Sequence, residues 1–482
     1  MYFERIYESS LAQASYLIGC QATGEALVVD PVRDPERYLA AAAAQRLRIT
    51  HVTETHIHAD FASGVRELAA RTGARLLLSG EGGPDWQYAF AADSGATLLH
   101  DGDTFDVGSV RVRAIHTPGH TPEHLTFLVT DRERGDQPLG ALTGDFLFVG
   151  DGGRPDLLER AAGHAGTMDA SARTLFASLR RFTELPDYLQ IWPGHGAGSP
   201  CGKSLGAVPQ STLGYERIAN WALQIHDEDT FVRSVLEGQI EPPAHFGVMK
   251  RINRDGPPMR GTRAAPRQLP AEALAQALRD GLVVDARSPE RFAAGHAPGS
   301  VNVPFGHKFA TWVASMLPYD RDVVVVAEAG SGTKTAAAAR ELSLVGVDRL
   351  DGWIEASALD VWAARHGALE QTAQTTVREL DPRLERGEVA VIDVRAQSEW
   401  EAGHMPGVTH VPLARLAEEV DRVRALAHER PVVVLCQGGT RSAIAASLLQ
   451  ARGVPDVTNL AGGFAAWQAA GLPVERGAAD GA

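Results

Sequence analysis

The sequence predicts an α/β protein of three domains, in which the last two are copies of one another with parallel sheets. The main observation is an internal repeat, because the segment that begins at Val283 recurs at Val391 without a gap. Corresponding positions of the two copies are 108 residues apart. In both copies, and in the region before them, apolar strand patterns alternate with helical patterns, which is typical of α/β folds.

Length and composition limit the function classes. A chain of 482 residues is too long to fold around a single hydrophobic core, because domains usually contain about 100–200 residues. It shows no apolar run long enough to cross a bilayer and no apolar N-terminal signal, so a cytoplasmic location is expected. The net charge of −14 argues against nucleic acid and anionic membranes as partners. Three cysteines without a CxxC pair fit a reducing compartment. A homo-oligomer is left open.

The domain boundaries follow from these patterns. We expect an N-terminal domain over residues 1–253, a first repeat domain over 271–370 and a second over 377–475. The stretch 254–270 is rich in Pro, Gly and Arg and is expected to be a linker. The polar stretch 371–376 is expected to separate the two copies.

The repeat has a polar signature that chance similarity explains poorly. In each copy an Asp and an Arg follow the first strand, and a His, a Pro and a Gly follow the next helical stretch. These residues are Asp285, Arg287, His296, Pro298 and Gly299 in the first copy, and Asp393, Arg395, His404, Pro406 and Gly407 in the second.

Cys436 lies at the end of an apolar strand in the second copy. A Gly-rich turn and a helical run follow it, so backbone N–H groups and the positive helix end are directed at one point. A thiolate there is stabilised and becomes a nucleophile, and Arg441 adds a positive charge. A buried structural cysteine is the competing interpretation, which the upstream signature and the segment 460–467 disfavour.

With these motifs the second copy resembles the rhodanese family over the whole domain. The resemblance implies that Cys436 carries a persulfide, and that a six-residue loop ending at Arg441 is the sulfur-transferring form. Related dual-specificity phosphatases use a loop that is one residue longer. The residues of the loop that would hold the persulfide are Gln437, Gly438, Gly439 and Thr440.

The first copy has lost this chemistry. The counterpart of Cys436 is Glu328, and the counterpart of Arg441 is Thr333. A carboxylate cannot carry a sulfane sulfur, so the first copy is expected to be a pseudo-rhodanese that serves architecture or docking.

A set of histidines and aspartates indicates a metal site in the N-terminal domain. Each member follows an apolar strand-like run, so the loops are expected to gather at one edge of a sheet sandwich. One histidine alone is usually structural, whereas four separated loops of this kind predict a metal centre. The members are His56, His58, Asp60, His120, Asp145 and His195.

The order and composition of these motifs resemble the metallo-β-lactamase superfamily, an αββα sandwich, over roughly residues 1–250. The superfamily motif places a histidine directly after Asp60, where this sequence has Phe61. That departure counts against a two-zinc hydrolase of the glyoxalase II type. The pattern instead resembles the persulfide dioxygenase branch, and this resemblance implies one Fe(II) per chain held by His56, His120 and Asp145.

The remaining polar residues would then surround the metal. His58, Asp60 and His195 are expected to orient ligands or to meet substrate. Arg154 either meets a substrate carboxylate or forms an ion pair with Asp156. Cys201, six residues after His195, is either a sulfur-accepting thiol, as in similar dioxygenase–rhodanese fusions, or a packed, inert cysteine.

These resemblances imply one sulfide-oxidation enzyme. The iron domain would oxidise a low-molecular-weight persulfide, such as glutathione persulfide, with O2 to sulfite and thiol. Cys436 would transfer sulfane sulfur, either forming or consuming thiosulfate. The alternatives are a zinc thioester hydrolase with an accessory sulfurtransferase, and a non-catalytic sulfur-sensing protein.

Overall fold

The computed structural model of the protein describes residues 1–161, 163, 166–261 and 265–477. It divides into two compact units, of which the first holds residues 1–263 with 343–346 and the second holds 264–342 with 347–482. In the described part of the chain, no helix combines the length and apolar character needed to cross a membrane.

Among its described residues, the first unit contains twelve strands and eight α-helices. The strands are β1 (Tyr2–Glu8), β2 (Gln13–Cys20), β3 (Glu25–Val29), β4 (Arg48–Thr53), β5 (Arg75–Ser79), β6 (Thr97–Leu99), β7 (Thr104–Val107), β8 (Val110–His116), β9 (Leu125–Asp131), β10 (Gly140–Gly144), β11 (Gln190–Pro193) and β12 (Ser211–Thr212). The helices are α1 (Pro35–Ala44), α2 (Val65–Thr72), α3 (Leu157–Arg160), α4 (Met168–Phe182), α5 (Leu213–Ala219), α6 (Trp221–Gln224), α7 (Glu228–Leu236) and α8 (Phe246–Asp255).

These strands make two mixed six-stranded sheets, in the orders β1-β2-β3-β4-β5-β6 and β12-β11-β10-β9-β8-β7. Apolar side chains from both sheets, such as Tyr16 and Phe127, form the core between them. Helices α1 and α2 pack on the outer face of the first sheet, and α4 and α7 cover the second. The predicted αββα sandwich is confirmed.

The second unit contains the two repeat domains. The first has β13 (Arg267–Gln268), α9 (Ala273–Asp280), β14 (Leu282–Asp285), α10 (Pro289–Ala294), β15 (Val301–Asn302), α11 (Phe309–Met316), β16 (Val323–Ala327), α12 (Gly332–Leu344), β17 (Leu350–Glu355) and α13 (Ala358–His366). The second has β18 (Ala373–Thr375), α14 (Val377–Glu385), β19 (Ala390–Asp393), α15 (Gln397–Ala402), β20 (Thr409–His410), α16 (Val420–Glu429), β21 (Val432–Leu435), α17 (Thr440–Ala451), β22 (Val457–Leu460) and α18 (Gly463–Ala469).

Both repeats have the same topology, with five parallel strands in the orders β13-β17-β16-β14-β15 and β18-β22-β21-β19-β20. The predicted parallel sheets are therefore confirmed. The first strand of each sheet lies in a stretch that we expected to be a connection, since β13 falls within 254–270 and β18 within 371–376. Both strands are short and lie at a sheet edge, so they lack the long apolar run that marks a central strand.

Helix α17 connects the second repeat to the first. Its residues 442–449 are buried on every side, which agrees with the apolar run that follows the predicted loop. The backbone N–H of Asn302 in β15 donates to Ser447 Oγ of α17 at 2.9 Å. The helix that begins at the predicted sulfur-transfer loop is thus fixed against the first copy.

Candidate metal centre and sulfur-transfer site

The predicted metal ligands meet at one edge of the sandwich. His56 follows β4, His120 lies in the turn between β8 and β9, and Asp145 follows β10. The side chains of all three are buried, each about 1% exposed. Their ligand atoms lie within 4.8 Å of one another, and we call these three residues the ligand group.

Hydrogen bonds turn the free nitrogen of His56 toward Asp145. The hydroxyl of Thr55 lies 3.1 Å from Asp30 Oδ2 and 2.9 Å from His56 Nδ1. Because the carboxylate only accepts, the hydroxyl donates to Asp30 and accepts from His56 Nδ1–H. This arrangement leaves the lone pair on His56 Nε2 available to a metal ion.

His120 and His195 are oriented by backbone carbonyls. His120 Nδ1 donates to the carbonyl of Arg154, and His195 Nδ1 donates to the carbonyl of Ala12, each at 3.1 Å. A carbonyl oxygen can only accept, so the Nε2 atoms of both rings carry lone pairs.

The geometry of the ligand group fits a metal ion. Nε2 of His56 and Nε2 of His120 lie 4.0 and 3.8 Å from Asp145 Oδ2, which is too far for hydrogen bonds. Burial lowers the pKa of His56 and His120 well below the usual range, so both rings are neutral. Asp145 Oδ1 has no hydrogen-bond partner among the described residues. Two neutral imidazoles and one carboxylate are a donor set that suits a divalent transition metal.

Two neighbouring histidines are engaged elsewhere. His58 Nε2 donates to Asp30 Oδ1 at 3.1 Å, and although burial opposes it, the Asp30 carboxylate raises the pKa of His58 to about 9. A protonated ring has no lone pair for a metal. His124 Nε2 accepts from the backbone N–H of Asp145 at 3.2 Å and thereby positions that ligand.

A second buried group lies beside the first and consists of Asp60, His195 and Cys201. His195 Nε2 is 3.4 Å from Asp60 Oδ2 and 3.5 Å from Asp145 Oδ1. Phe61 is fully buried and packs on the His58 ring at a centroid distance of 4.3 Å, so no imidazole enters the group from that position. Burial, with the carboxylates of Asp60 and Asp145, raises the pKa of the Cys201 thiol well above its usual range.

Arg154 forms the ion pair with Asp156 that the sequence left as one of two alternatives. Its Nη2 and Nε atoms donate to the Asp156 carboxylate at 2.6 and 3.0 Å, and both side chains are buried. Its Nη1 donates to the carbonyl of Pro200 at 2.6 Å. Arg154 therefore holds the loop that carries Cys201, and its guanidinium is occupied by protein groups.

The loop for which sulfur transfer was predicted has the expected order of strand, turn and helix. Cys436 follows β21, and α17 begins at Thr440. The backbone N–H of Gly439 donates to Cys436 Sγ at 3.1 Å, and Ser442 Oγ donates at 3.4 Å. Gly463 has φ +54°, and a Cβ there would lie 2.1 Å from the Cys436 carbonyl oxygen. The loop thus depends on that glycine for its close packing.

Arg441 does not offer a free charge to the loop. Its two terminal nitrogens donate to the carboxylate of Glu399 in α15 at 2.5 and 2.7 Å. The hydrogen bond to Glu399 raises the pKa of Arg441, although burial opposes this. The backbone N–H of Gly439 and the hydroxyl of Ser442 are therefore the direct donors to the thiol sulfur among the described residues.

The repeat signature packs beside the loop of the second copy. Arg395 pairs with Asp393 at 2.7 Å, lies over the Phe464 ring and reaches Gln437 Oε1 at 3.3 Å. The His404 ring stacks on Trp400 at 3.8 Å.

The first copy retains the same ion pair and the same type of ring stack. Its ion pair is Asp285–Arg287 at 2.6 Å, and its stack is Phe292–His296 at 3.7 Å. Shared architecture therefore explains these residues in both copies, whereas the thiol is present in only one.

Several residues of the sites were not predicted. Asp30 ends a recognisable strand, but its contact with Thr55 joins positions that are far apart in the chain. Glu399 and Lys250 are charged residues within helical patterns and carry no motif. Only their positions in the fold distinguish them from ordinary surface charges.

The αββα sandwich with a buried His/Asp ligand group at its edge defines a metal-binding class of protein. Comparison with known protein families agrees with this class. The profile of the metallo-beta-lactamase superfamily matches residues 10–195, and the rhodanese-like domain profile matches residues 270–356 and 376–470.

A solved structure supports the same assignment. A metallo-beta-lactamase from Staphylococcus aureus is 42% identical, with 73% of this chain and 99% of that chain covered and a TM-score of 0.67. The chain therefore belongs to the metallo-β-lactamase superfamily and carries two rhodanese-like domains. ETHE1 from Myxococcus xanthus is 26% identical, covering 53% of this chain and 98% of that chain, with a TM-score of 0.43.

Among curated proteins, a hydroxyacylglutathione hydrolase from Polaromonas sp. is 34% identical over 197 residues, which are 40% of this chain and 66% of that protein. The chain spans between 53% and 72% of the length of the curated relatives compared.

Proposed function

We propose that the protein is a persulfide dioxygenase coupled to a sulfurtransferase. The N-terminal domain converts a low-molecular-weight persulfide, dioxygen and water into the thiol and sulfite. The second rhodanese domain exchanges a sulfane sulfur between Cys436 and sulfite or thiosulfate. The observation that carries this proposal is the pairing of a two-histidine, one-carboxylate ligand group with an intact sulfur-transfer thiol in one chain.

The ligand group supports iron(II) as the resident metal. His56, His120 and Asp145 would hold it, and a set of only three protein donors would leave room for substrates at the metal. Bound iron(II) supplies the redox chemistry by which dioxygen oxidises the terminal sulfur of the persulfide. Phe61 keeps an imidazole away from the neighbouring group, which disfavours a pair of zinc ions with the usual nitrogen ligands.

The residues of the chain have defined roles in this proposal. Asp30 and Thr55 orient His56, while the carbonyl of Arg154 orients His120. Burial of the ligand group excludes bulk water from the reacting sulfur. At the second site, the thiolate of Cys436 attacks the outer sulfur of thiosulfate, forms an S–S bond and releases sulfite, and the reverse reaction returns thiosulfate.

The test is an oxygen-electrode assay with glutathione persulfide, in which sulfite and thiosulfate are measured separately and the metal content is determined. We expect one iron per chain, one sulfite per O2 consumed, and thiosulfate when sulfane sulfur is supplied in excess. A protein that contains iron and consumes no oxygen with any persulfide contradicts the proposal and favours a sulfur-sensing role.

The alternative is a zinc thioester hydrolase, which the similarity to hydroxyacylglutathione hydrolases favours. The second group of Asp60, His195 and Cys201 offers three further donors for that chemistry. Two zinc ions per chain, together with cleavage of a glutathione thioester, would establish this alternative and overturn the dioxygenase proposal.

A further inference from the structure

A cavity lies beside the ligand group and has no role in the chemistry described so far. Its volume is about 430 Å³, and its walls include Ile57, Trp86 and three basic residues of α8, Lys250, Arg251 and Arg254. Binding sites for small molecules have volumes of about 300–1,000 Å³. The cavity is therefore large enough for part of a small substrate.

Lys250 is the unusual residue of this wall. It is only 6% exposed, and its Nζ donates to no hydrogen-bond acceptor among the residues that the structure describes. The ammonium group lies over the Trp86 ring, 4.6 Å from the centroid. Burial lowers its pKa to about 8, against the opposing effect of the Glu123 and Asp145 carboxylates, so it remains mostly protonated at neutral pH. A buried cation without a hydrogen-bonded anion is unfavourable, and a bound anion would relieve this.

The cavity and the ligand group are adjacent. Ile57, which lines the cavity, stands in the chain between His56 and His58. The charge of Lys250 also acts on the rings of His56 and His120. A molecule whose anionic group lies at Lys250 would therefore have its other end near the metal ligands.

The remaining charges of the wall are mainly positive. Arg251 is exposed and has no ion pair with any residue in the described ranges, while Arg254 pairs with Asp255 at 2.9 Å. Asp85 is the acidic member of the lining. Together with Lys250, the lining thus carries more basic than acidic side chains.

We infer that this cavity binds the carrier portion of the substrate, and that Lys250 pairs with a carboxylate or phosphate group of an anionic carrier thiol. That the other end of the molecule is a persulfide rests on the proposed function, whereas recognition of the carrier does not. Coulombic attraction and a charge-assisted hydrogen bond in a buried setting make this pairing selective for anionic over neutral carriers.

Calorimetry with unreactive thioethers tests the inference without requiring turnover. S-methylglutathione offers carboxylates, and S-methyl coenzyme A offers phosphates. We expect Lys250→Gln to raise the Kd of the preferred thioether at least about tenfold, and Lys250→Arg to restore most of the affinity. Lys203→Gln is the matched control. Lys203 Nζ donates to the backbone carbonyls of Ser234 and Glu237, and Lys203 does not line the cavity.

The intact protein gives a test that does not depend on a variant folding. Esterification of both carboxylates of S-methylglutathione should abolish its binding to the wild-type chain if a carboxylate is the recognised group. If coenzyme A thioether binds more tightly and loses affinity in Lys250→Gln, phosphate is the source of the anion.

The inference is overturned if Lys250→Gln binds both thioethers with unchanged affinity. It is also overturned if Lys250→Gln changes the KM equally for glutathione persulfide and for the neutral persulfide of 2-mercaptoethanol. Thioether binding through Lys250 without oxygen uptake from any persulfide would refute the proposed function and leave this inference intact. Oxygen uptake with the same KM for anionic and neutral persulfides would refute this inference and leave the proposed function intact.

Discussion

Arg441 donates from both of its terminal nitrogens to the carboxylate of Glu399, and this pair connects the Cys436 loop to α15. In the first copy the position of Glu399 is occupied by Arg291, which donates to Glu328 at 2.7 Å. Glu328 stands where the second copy has Cys436. In each copy an ion pair therefore connects the loop to the corresponding helix, α10 or α15. The basic residue lies on the helix in the first copy and in the loop in the second, and only the second copy retains a thiol at this loop.

The Glu399–Arg441 pair should matter for sulfur transfer. Glu399→Gln leaves Arg441 with a weaker partner, so the loop loses its fixed position relative to α15. We expect the thiosulfate sulfurtransferase rate to fall roughly threefold to tenfold, in line with the strength of charge-assisted bidentate bonds. Arg291→Gln in the first copy is the matched control and should leave the rate unchanged. An equal loss in both variants would assign the effect to general destabilisation.

The thiol and the metal centre should be separable by mutation. Cys436→Ser removes the proposed sulfur-carrying nucleophile, so thiosulfate formation should stop while oxygen consumption continues at the wild-type rate. Both quantities can be followed in one reaction with glutathione persulfide. Cys20→Ser serves as the control, because Cys20 is a buried thiol in the sandwich core. If oxygen consumption also stops in Cys436→Ser, the two sites do not act independently.

The converse variant tests the ligand group. His120→Ala removes one of three donors, so the purified protein should contain little iron and consume no oxygen, while sulfur transfer by Cys436 persists. Metal analysis and a cyanide-based sulfurtransferase assay measure the two effects. His116→Ala should retain iron, since the His116 ring lies against the carbonyl of Pro122 and the Glu81 carboxylate and is not part of the ligand group. Wild-type iron content in His120→Ala would show that the ligand assignment is wrong.

Asp30 should control metal affinity without touching the metal. Its carboxylate accepts from the Thr55 backbone N–H at 2.6 Å, from the Thr55 hydroxyl and from His58. In Asp30→Asn the hydroxyl can reorient, so His56 can lose its fixed tautomer. Partners of this kind typically change metal affinity by about 10–100-fold, which a competitive chelator titration can measure. Unchanged affinity would mean that packing alone orients His56.

The pH dependence of substrate binding follows from Lys250. Burial lowers the pKa of Lys250 to about 8, so the ammonium group is charged below that pH and neutral above it. The KM for an anionic persulfide should therefore rise as the pH increases through about 8. In Lys250→Arg this rise should disappear, because a guanidinium keeps its proton. A rise of the same size with a neutral persulfide would point to another titrating group.

Much of the architecture could be predicted because it depends on patterns of residues that are close together in the sequence. The 108-residue offset identified both repeats, and strand, glycine turn and helix run consecutively from β21 to α17. The edge strands β13 and β18 were missed because a two- or three-residue strand carries no period of its own. Their pairing depends on β17 and β22, which lie far away along the chain.

By itself the sequence determined the three α/β domains, the position of the Cys436 loop and the residue types of the ligand group. The tertiary structure decided which histidines can bind a metal, because the tautomer of each ring depends on a hydrogen bond to a distant residue, such as the carbonyl of Ala12 for His195. It also decided that Arg154 and Arg441 donate hydrogen bonds to carboxylates, whereas the buried Lys250 ammonium has no hydrogen-bond partner among the described residues. A charge along the chain acquires its partner and its dielectric surroundings only after folding.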